Sequence, residues 1–278
     1  MRLLTKISAF LVAIMLLPAI GSGSLFAPSA ELWDRWSAHD AGNRATIDHA
    51  DWSALLAKHV KQGSDGVARV SYSAFNDADR QSLKGYIARL AGTKIDGYAR
   101  GEQMAYWINL YNAVTIDVIL DNMPVETIRD IDISPGLLAD GPWGKKLVSV
   151  QGEELSLNDI EHRILRPIWQ DPRIHYGVNC ASIGCPDLRA SAYTGSGIDA
   201  ELDAAARAYV NHPRGVTIAG GSVTVSSIYD WFIDDFGGDE AGVLAHLRQY
   251  ANPDLQAKLT GITSIEDSAY DWDLNDVR

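Results

Sequence analysis

The segment from Met104 to Leu120 constrains the fold more than any other part of the sequence. Apolar residues occupy nearly every face of the helix it would form, so we expect that helix at the centre of a domain. Asn109 and Asn112 lie three positions apart and therefore side by side on this helix. Each amide needs a partner, because an unpaired buried polar group costs about 1–3 kcal/mol. The two amides either hydrogen-bond neighbouring loops or orient a catalytic group or substrate.

Short helices and short strands are expected on both sides of this segment. Apolar spacing predicts a helix over Asp51–Val60, and Asn76 is expected to cap a second helix. Val67–Tyr72 predicts a strand, and Val216–Val225 predicts two strands joined by a two-residue glycine turn. The elements do not alternate regularly as in βαβ units. The sequence therefore predicts an α+β fold: a single compact domain with a central buried helix and a small, mostly antiparallel sheet.

The first residues have the pattern of a secretory signal peptide. Arg2 and Lys6 precede a short apolar run, and small residues follow that run. The alternative is a membrane anchor, which needs about 20 apolar residues to span a bilayer. The run is interrupted before that length, so we expect residues 1–24 to be a signal peptide cleaved after Ser24.

The rest of the chain is predicted to be an exported, soluble protein. Residues 25–50 are expected to form an N-terminal helical extension, since Trp33 and Trp36 have helical spacing, and residues 51–278 the main domain. No second apolar run approaches spanning length, so no stable membrane span is expected after signal cleavage. The formal net charge of −12 argues against binding to nucleic acid. We expect a periplasmic or secreted location and a peptide or protein of the cell envelope as the partner.

The segment Ser156–Arg166 predicts a capped amphipathic helix that carries two candidate catalytic residues. At 100° per residue, Glu161 falls inside the apolar arc and His162 points towards the opposite side. A carboxylate that faces a core is costly unless it is paired or protonated. One interpretation is an ion pair with an arginine, either a neighbour of Arg163 in the sequence or Arg173. The other is a general acid or base.

Both cysteines lie in the segment Asp171–Leu188. Apolar and polar residues alternate from Ile174 to Cys180, which predicts a buried strand. In an oxidising compartment, Cys180 and Cys185 are first of all a disulfide pair. The alternative is a thiolate nucleophile with His175 as its base. On a regular strand His175 and Cys180 point to opposite faces, whereas Cys185, after a short turn, could reach either face.

The acidic C-terminal segment from Glu266 to Asp276 does not match a calcium-binding loop. It lacks the EF-hand spacing and the glycine of that motif. We therefore expect a solvated tail that docks through Tyr270 and Trp272. The sequence predicts no metal site and no cofactor.

Four motifs together resemble the domain-of-unknown-function 547 family. They are AYWINLYNA, IEHRILR, DPRIHYGVNCASIGCP and YDWDLN, and the resemblance extends over about Asp51 to Asn275. It implies a bacterial secreted or periplasmic domain, and it implies no activity. The family's recurring positions would correspond here to Asn109, Asn112, Glu161, His162, His175, Asn179, Cys180, Cys185 and Pro186.

Two classes of function remain open on these residues. One is a thiol- or carboxylate-dependent hydrolase or transferase that acts on peptide or amide bonds in the cell envelope. The other is a non-catalytic binding or scaffold module with a structural Cys180–Cys185 disulfide. The catalytic candidates of the first class are Cys180, Cys185, His175, Glu161, His162, Asn109 and Asn112.

Overall fold

The structure is a computed structural model that describes residues 27–136 and 140–277. The predicted signal peptide, residues 1–24, lies outside the described residues. Within the described ranges, no helix has both the length and the apolar character needed to cross a membrane.

The predicted central helix is confirmed as α3, which extends from Arg100 to Asn122. Its side chains are buried on every face from Glu102 to Leu120, except that Asp117 is half-buried and pairs with Lys84. A helix that is apolar all round has to be covered on all sides, which explains its central position. The elements of the larger part of the domain therefore pack against α3 from all sides.

The remaining helices are shorter than α3 and pack either against it or in a second apolar cluster. In chain order they are α1 (Ala50–His59), α2 (Asp77–Ala91), α4 (Arg166–Trp169), α5 (Ile174–Gly177), α6 (Ile198–Val210), α7 (Ser227–Trp231), α8 (Glu240–Tyr250) and α9 (Pro253–Lys258). The predicted cap of α2 is confirmed, since the Asn76 side chain accepts from Asp79 N–H and the Asp79 carboxylate accepts from Asn76 N–H.

The strands form small separate sheets. They are β1 (Val60–Gln62), β2 (Ala68–Val70), β3 (Val148–Val150), β4 (Glu153–Leu155), β5 (Val216–Ala219), β6 (Ser222–Ser226) and β7 (Asp267–Ala269). β1 pairs with β2, β3 with β4 and β5 with β6, each in antiparallel register, whereas β7 lies parallel to β6. The predicted glycine hairpin is present: Ala219 pairs with Ser222, and both Gly220 and Gly221 have positive φ. The α+β prediction is thus confirmed.

The segment from residue 27 to residue 49 contains one short 3-10 turn, Asp34–Trp36. The Trp36 ring is buried against Trp107 of α3, with the ring centroids 5.0 Å apart. Two backbone bonds also join this segment to residues 162 and 163: Glu31 N–H donates to His162 O and Trp33 N–H donates to Arg163 O. The segment is therefore built into the side of the domain.

The predicted strand over Ile174–Cys180 is wrong. Residues 174–177 form the single helical turn α5, and the chain then continues in extended conformation from Val178. Ile174, His175, Tyr176 and Gly177 are all buried. The alternation of apolar and polar residues did not reflect alternate exposure, because His175 is buried in a polar network.

The helix predicted over Ser156–Arg166 is present, but its turns are wider than expected. Residues Asp159–Leu165 form a π-helix, in which each backbone N–H bonds five residues back; the N–H of Arg166 donates to Glu161 O. The Ser156 and Asp159 side chains cap its start as predicted. Because the turn is wider, His162 is buried along with Glu161, which corrects the prediction that it lies on the opposite side.

Two apolar clusters build the interior. The larger one surrounds α3, and the smaller one joins α6, α7 and α8. Residues of both clusters line the pocket described next: Tyr111 and Trp143 belong to the first, Trp231 and Tyr270 to the second. The candidate site therefore lies where the two clusters meet.

Candidate functional site

A pocket of about 690 Å³ contains most of the candidate residues. Its base is formed by the π-helix and by α5. Its walls come from the N-terminal segment, from the lining residues between 129 and 144, from the cysteine loop, from α7 and from the C-terminal segment. The residues that line it include Ala27, Pro28, Tyr111, Trp143, Asn158, Glu161, His162, His175, Val178, Cys180, Cys185, Pro186, Trp231, Phe232, Tyr270 and Trp272.

Glu161 is a nearly buried carboxylate that faces two histidines. Its residue exposure is 7%, and it lines the pocket. The Glu161 Oε1 atom lies 3.7 Å from His175 Nδ1 and 4.0 Å from His162 Nδ1. Burial and the charge of Glu161 together raise the pKa of the neighbouring Tyr111 phenol well above its usual value. The Tyr111 phenol therefore keeps its proton beside the carboxylate.

The suggested ion pair between Glu161 and Arg173 is wrong. The Arg173 guanidinium binds three aspartates instead: Asp171, Asp199 and Asp203. Within the described residues, the ion pairs of Glu161 involve histidines only, and these are charged only when protonated. Among the described residues, Glu161 thus has no permanently charged cation as an ion-pair partner, although it is nearly buried.

His175 is held between Glu161 and Asp235. Its Nε2 lies 2.7 Å from Asp235 Oδ2, and the same oxygen accepts from Arg166 Nε at 2.5 Å. Burial would raise the pKa of Asp235, but the hydrogen bonds from His175 and Arg166 outweigh it and lower this pKa to about 2. Asp235 is therefore ionised, and His175 donates to it through Nε2. The other nitrogen, Nδ1, is directed towards Glu161.

His162 is neutral and its tautomer is defined by Arg166. Arg166 Nη1 lies 3.0 Å from His162 Nδ1, and a guanidinium can only donate, so Nδ1 accepts. Burial, together with the positive charge of Arg166, lowers the pKa of His162 to about 4 against the opposing charge of Glu161. At neutral pH the proton is consequently on Nε2, which makes this nitrogen a hydrogen-bond donor.

The two cysteines form a disulfide in the wall of the pocket. Cys180 is partly exposed, whereas Cys185 is 3% exposed. Cys180 Sγ lies 2.9 Å from Tyr270 Oη and 3.1 Å from Ser182 Oγ. The prediction that His175 and Cys180 point to opposite faces of a strand fails because no strand forms there; both residues line the same pocket.

The side-chain amides of Asn109 and Asn112 each donate a hydrogen bond to a backbone carbonyl and accept one from a backbone N–H. Asn109 donates to Tyr193 O at 2.9 Å and accepts from Tyr193 N–H at 3.0 Å. Asn112 donates to Gly177 O at 2.9 Å and accepts from Asn179 N–H at 2.8 Å. Neither residue lines the pocket. Asn112 nevertheless fixes the chain that connects α5 to the cysteine loop.

Asn179 and Pro186 belong to the internal bonding of that loop. The Asn179 side chain donates to Pro186 O at 2.7 Å and accepts from Ala181 N–H at 2.9 Å. Ala181 has a positive φ of 61°, which an alanine adopts at a cost. These bonds position the two cysteines, and Pro186 also lines the pocket.

Aromatic rings of α7 and of the C-terminal segment form one wall. The Trp231 ring lies 4.8 Å from Tyr270 and stacks at 5.5 Å on Trp272, and Trp143 meets Trp272 edge-on at 5.9 Å. The C-terminal segment is also bonded into the fold: Leu274 pairs with Ser182 in an isolated bridge. Tyr270 and Trp272 thus dock the segment as predicted, and they also line the pocket. The prediction of a solvated tail is wrong, because β7 pairs with β6 and both Leu274 and Asn275 are buried.

Three polar members of the site were missed from the sequence. Asp235 and Arg166 form the network behind the histidines, and Tyr111 lies beside Glu161. Arg166 lies within the IEHRILR motif, four positions after His162, and this helical spacing could have identified it as a partner of that histidine. Asp235 follows α7 in sequence, and nothing local marks it. Among the described residues, no three His, Cys, Asp or Glu side chains are grouped as metal ligands.

Comparison with known proteins identifies a family for part of the chain. Residues 95–210 match the family described as "Protein of unknown function, DUF547", which confirms the resemblance of the motifs. The matched region contains the central helix, the π-helix and the cysteine loop, and it excludes the closing motif YDWDLN. No curated protein and no solved structure matches the chain in the same comparisons.

Proposed function

We propose that the pocket is the active site of a carboxylate-dependent hydrolase or transferase that acts on peptide or amide bonds, with Glu161 as its general acid and base. The observation that supports this is the position of Glu161: a nearly buried carboxylate that lines an aromatic pocket and, among the described residues, has only histidines as ion-pair partners. Groups in such environments are frequent in catalytic sites.

The proposed chemistry moves one proton through Glu161. The carboxylate takes a proton from a water molecule as the water oxygen attacks the amide carbon. The same proton is then delivered to the leaving nitrogen as the C–N bond breaks. An amine in place of water as the nucleophile gives the transferase reaction.

The surrounding groups have distinct proposed parts. His175, fixed through Nε2 by Asp235, keeps an unprotonated Nδ1 towards Glu161 and would accept from the carboxylic acid while Glu161 holds the proton between its two transfers. His162 carries its proton on Nε2 and would donate to the oxygen that becomes negative in the tetrahedral intermediate. The aromatic wall would bind an apolar or aromatic side chain next to the scissile bond.

We also propose that the protein works in the periplasm or outside the cell. The signal-like pattern of residues 1–24 supports export, and a disulfide supports an oxidising compartment. An envelope peptide is then the substrate that fits both the compartment and the pocket.

The test uses peptide p-nitroanilides with phenylalanine, tyrosine or leucine before the scissile amide. We expect release of p-nitroaniline by the unmodified protein and a loss of about 10²–10⁴ in kcat/KM for Glu161→Gln. The matched control is Glu154→Gln, an exposed carboxylate on β4, which should change the rate less than twofold. Absence of turnover over the whole set, or an active Glu161→Gln variant, would contradict the proposal.

The second candidate is a non-catalytic binding module with a structural disulfide. The aromatic wall favours it, because stacked tryptophans bind apolar groups without any chemistry. Quenching of tryptophan fluorescence by an N-acetylated phenylalanine amide distinguishes the two. A binding module gives saturable quenching that Glu161→Gln leaves unchanged, together with no turnover of any anilide.

A further inference from the structure

The Cys180–Cys185 disulfide lies in the pocket wall and not in the apolar interior. Both cysteines line the pocket, and Cys180 is the more exposed of the two. In thiol–disulfide exchange, a thiol in solution attacks the sulfur that it can reach, which here is Cys180 Sγ. The proposed function leaves this pair without a part in the chemistry.

The loop between the two cysteines is held without the disulfide. Arg214 Nη1 donates to Ile183 O and to Cys185 O, at 3.0 Å and 2.7 Å. Tyr209 Oη donates to Gly184 O at 2.6 Å. The bonds of Asn179 to Ala181 and Pro186 complete the frame. The loop is therefore bonded to the rest of the fold by contacts that do not pass through the disulfide.

Each sulfur also has hydrogen-bond donors beside it. Cys180 Sγ faces the hydroxyls of Ser182 and Tyr270, which lie 2.9 Å from each other. Cys185 Sγ accepts the backbone N–H of Cys180 at an N···S distance of 2.9 Å. Hydrogen-bond donors stabilise a thiolate relative to a thiol. Both cysteines are therefore placed to carry negative charge after reduction.

We propose that Cys180 and Cys185 exchange disulfide bonds with a cysteine-containing peptide that binds by an aromatic neighbour to the Trp231, Tyr270 and Trp272 wall. Tyr270 is common to the aromatic wall and to the hydroxyl pair on Cys180, so a peptide on that wall has its thiol close to Cys180. This activity goes beyond the proposed amide chemistry and does not depend on it.

The exchange balances in two steps. The peptide thiolate attacks Cys180 Sγ, a mixed disulfide forms, the Cys180–Cys185 bond breaks, and its electron pair leaves on Cys185 Sγ. A second peptide thiolate then attacks the peptide sulfur of the mixed disulfide, and the electron pair leaves on Cys180 Sγ. The two peptides are oxidised to their disulfide and the cysteine pair is reduced. A small disulfide such as oxidised glutathione then re-oxidises the cysteine pair and is itself reduced to two thiols.

The charged groups near the loop are Glu161 in the pocket, Arg214 on the loop carbonyls and Asp187, which pairs with Arg214 at 2.8 Å. The backbone carbonyls of Asp271 and Asp273 also accept from the loop. Burial raises the pKa of Tyr270, the charge of Glu161 raises it further, and the charge of Arg214 lowers it. The two hydroxyls on Cys180 are therefore the groups to vary in a test.

The first experiment compares the single thiols of the full-length protein. Cys185→Ser leaves Cys180 free, and Cys180→Ser leaves Cys185 free as the matched control. With Ellman's reagent at pH 7, we expect the Cys180 thiol to react at least tenfold faster than the Cys185 thiol. We also expect its alkylation midpoint to lie below the ordinary thiol value of about 8.5 and to rise by about one pH unit on adding Tyr270→Phe. Equal rates, or a midpoint at or above 8.5, would overturn the proposal.

The second experiment uses the unmodified protein and so does not depend on variants that fold. N-acetyl-Phe-Cys-amide and N-acetyl-Cys-amide are each added, and the rate at which the protein disulfide is reduced is followed by mass. We expect the aromatic peptide to react at least fivefold faster, with the circular dichroism of the reduced protein unchanged. Equal rates would show that the aromatic wall does not recognise the peptide. Loss of the fold on reduction would show that the disulfide is structural. Either result refutes the proposal. Anilide turnover is measured in parallel, so that failure of the amide chemistry is seen separately.

Discussion

Replacing Asn112 by alanine should both destabilise the protein and loosen the cysteine loop. The side chain makes two buried bonds, to Gly177 O and from Asn179 N–H. Asn112→Ala leaves both backbone groups without partners, and each such group costs about 1–3 kcal/mol, so we expect a loss of about 4 kcal/mol. Asn109→Ala is the matched control: it removes two equivalent bonds, to Tyr193, from the same helix and should cost a similar amount.

The two variants differ in which backbone segment loses its hydrogen bonds. In Asn112→Ala it is residues 177–179, and in Asn109→Ala it is Tyr193. Urea denaturation measures the free energy of unfolding, and a constant m-value shows that the folded states remain comparable. The rate at which dithiothreitol reduces the Cys180–Cys185 disulfide in the native protein then reports on the loop. We expect Asn112→Ala to be reduced faster than Asn109→Ala, because residues 177–179 lead directly into Cys180. A cost below about 1 kcal/mol for Asn112→Ala, or equal reduction rates, would refute this reasoning.

Three further predictions concern charge and redox state. Protein purified without reductant should be two daltons lighter than its reduced form by mass spectrometry, because Cys180 and Cys185 are bonded; two thiols open to alkylation would contradict this. The free energy of unfolding should fall as pH decreases from about 6.5 to about 4, by about 3 kcal/mol for His162, since the unfolded chain binds a proton there that the folded protein excludes. His49 and His246, whose pKa values burial also lowers to about 4, contribute over the same pH range, so the slope should become shallower in His162→Gln without vanishing; an unchanged slope would show that His162 is protonated in the folded protein. Glu161→Gln should leave thermal stability equal or raised relative to Glu154→Gln, because the ion pairs that the structure describes for Glu161 are with histidines alone; a clear drop in melting temperature would indicate a structural role.

The fold was predictable where burial and turn chemistry act locally. Apolar residues on every face define α3 from the sequence alone, because a helix without a polar face has to be covered. Asn76 with Asp79, and the pair Gly220 and Gly221, are patterns whose chemistry is complete within a few residues. Such elements need no information from distant parts of the chain.

The sequence identified many residues of the candidate site but not how they are arranged. Glu161 was identified from its place in an apolar arc, but the 100° step used for His162 fails on a π-helix. The alternation from Ile174 to Cys180 predicted a strand, whereas His175 is buried by a partner 60 positions away, Asp235. Contacts of that range are set by the packing of Phe232 and Phe236, which flank Asp235, against the His175 ring, and they leave no local pattern in the sequence.

The pocket is completed by side chains from outside the region that matches the family, residues 95–210. Tyr111, Trp143, Glu161 and the disulfide lie within that region. Trp231 and Trp272 lie after it, Ala27 lies before it, and Asp235, which holds His175, also lies after it. A protein that shares only the matched segment would therefore lack half of the aromatic wall and the partner of His175, so a ligand found for it should not be transferred to this protein before its own flanking segments are compared.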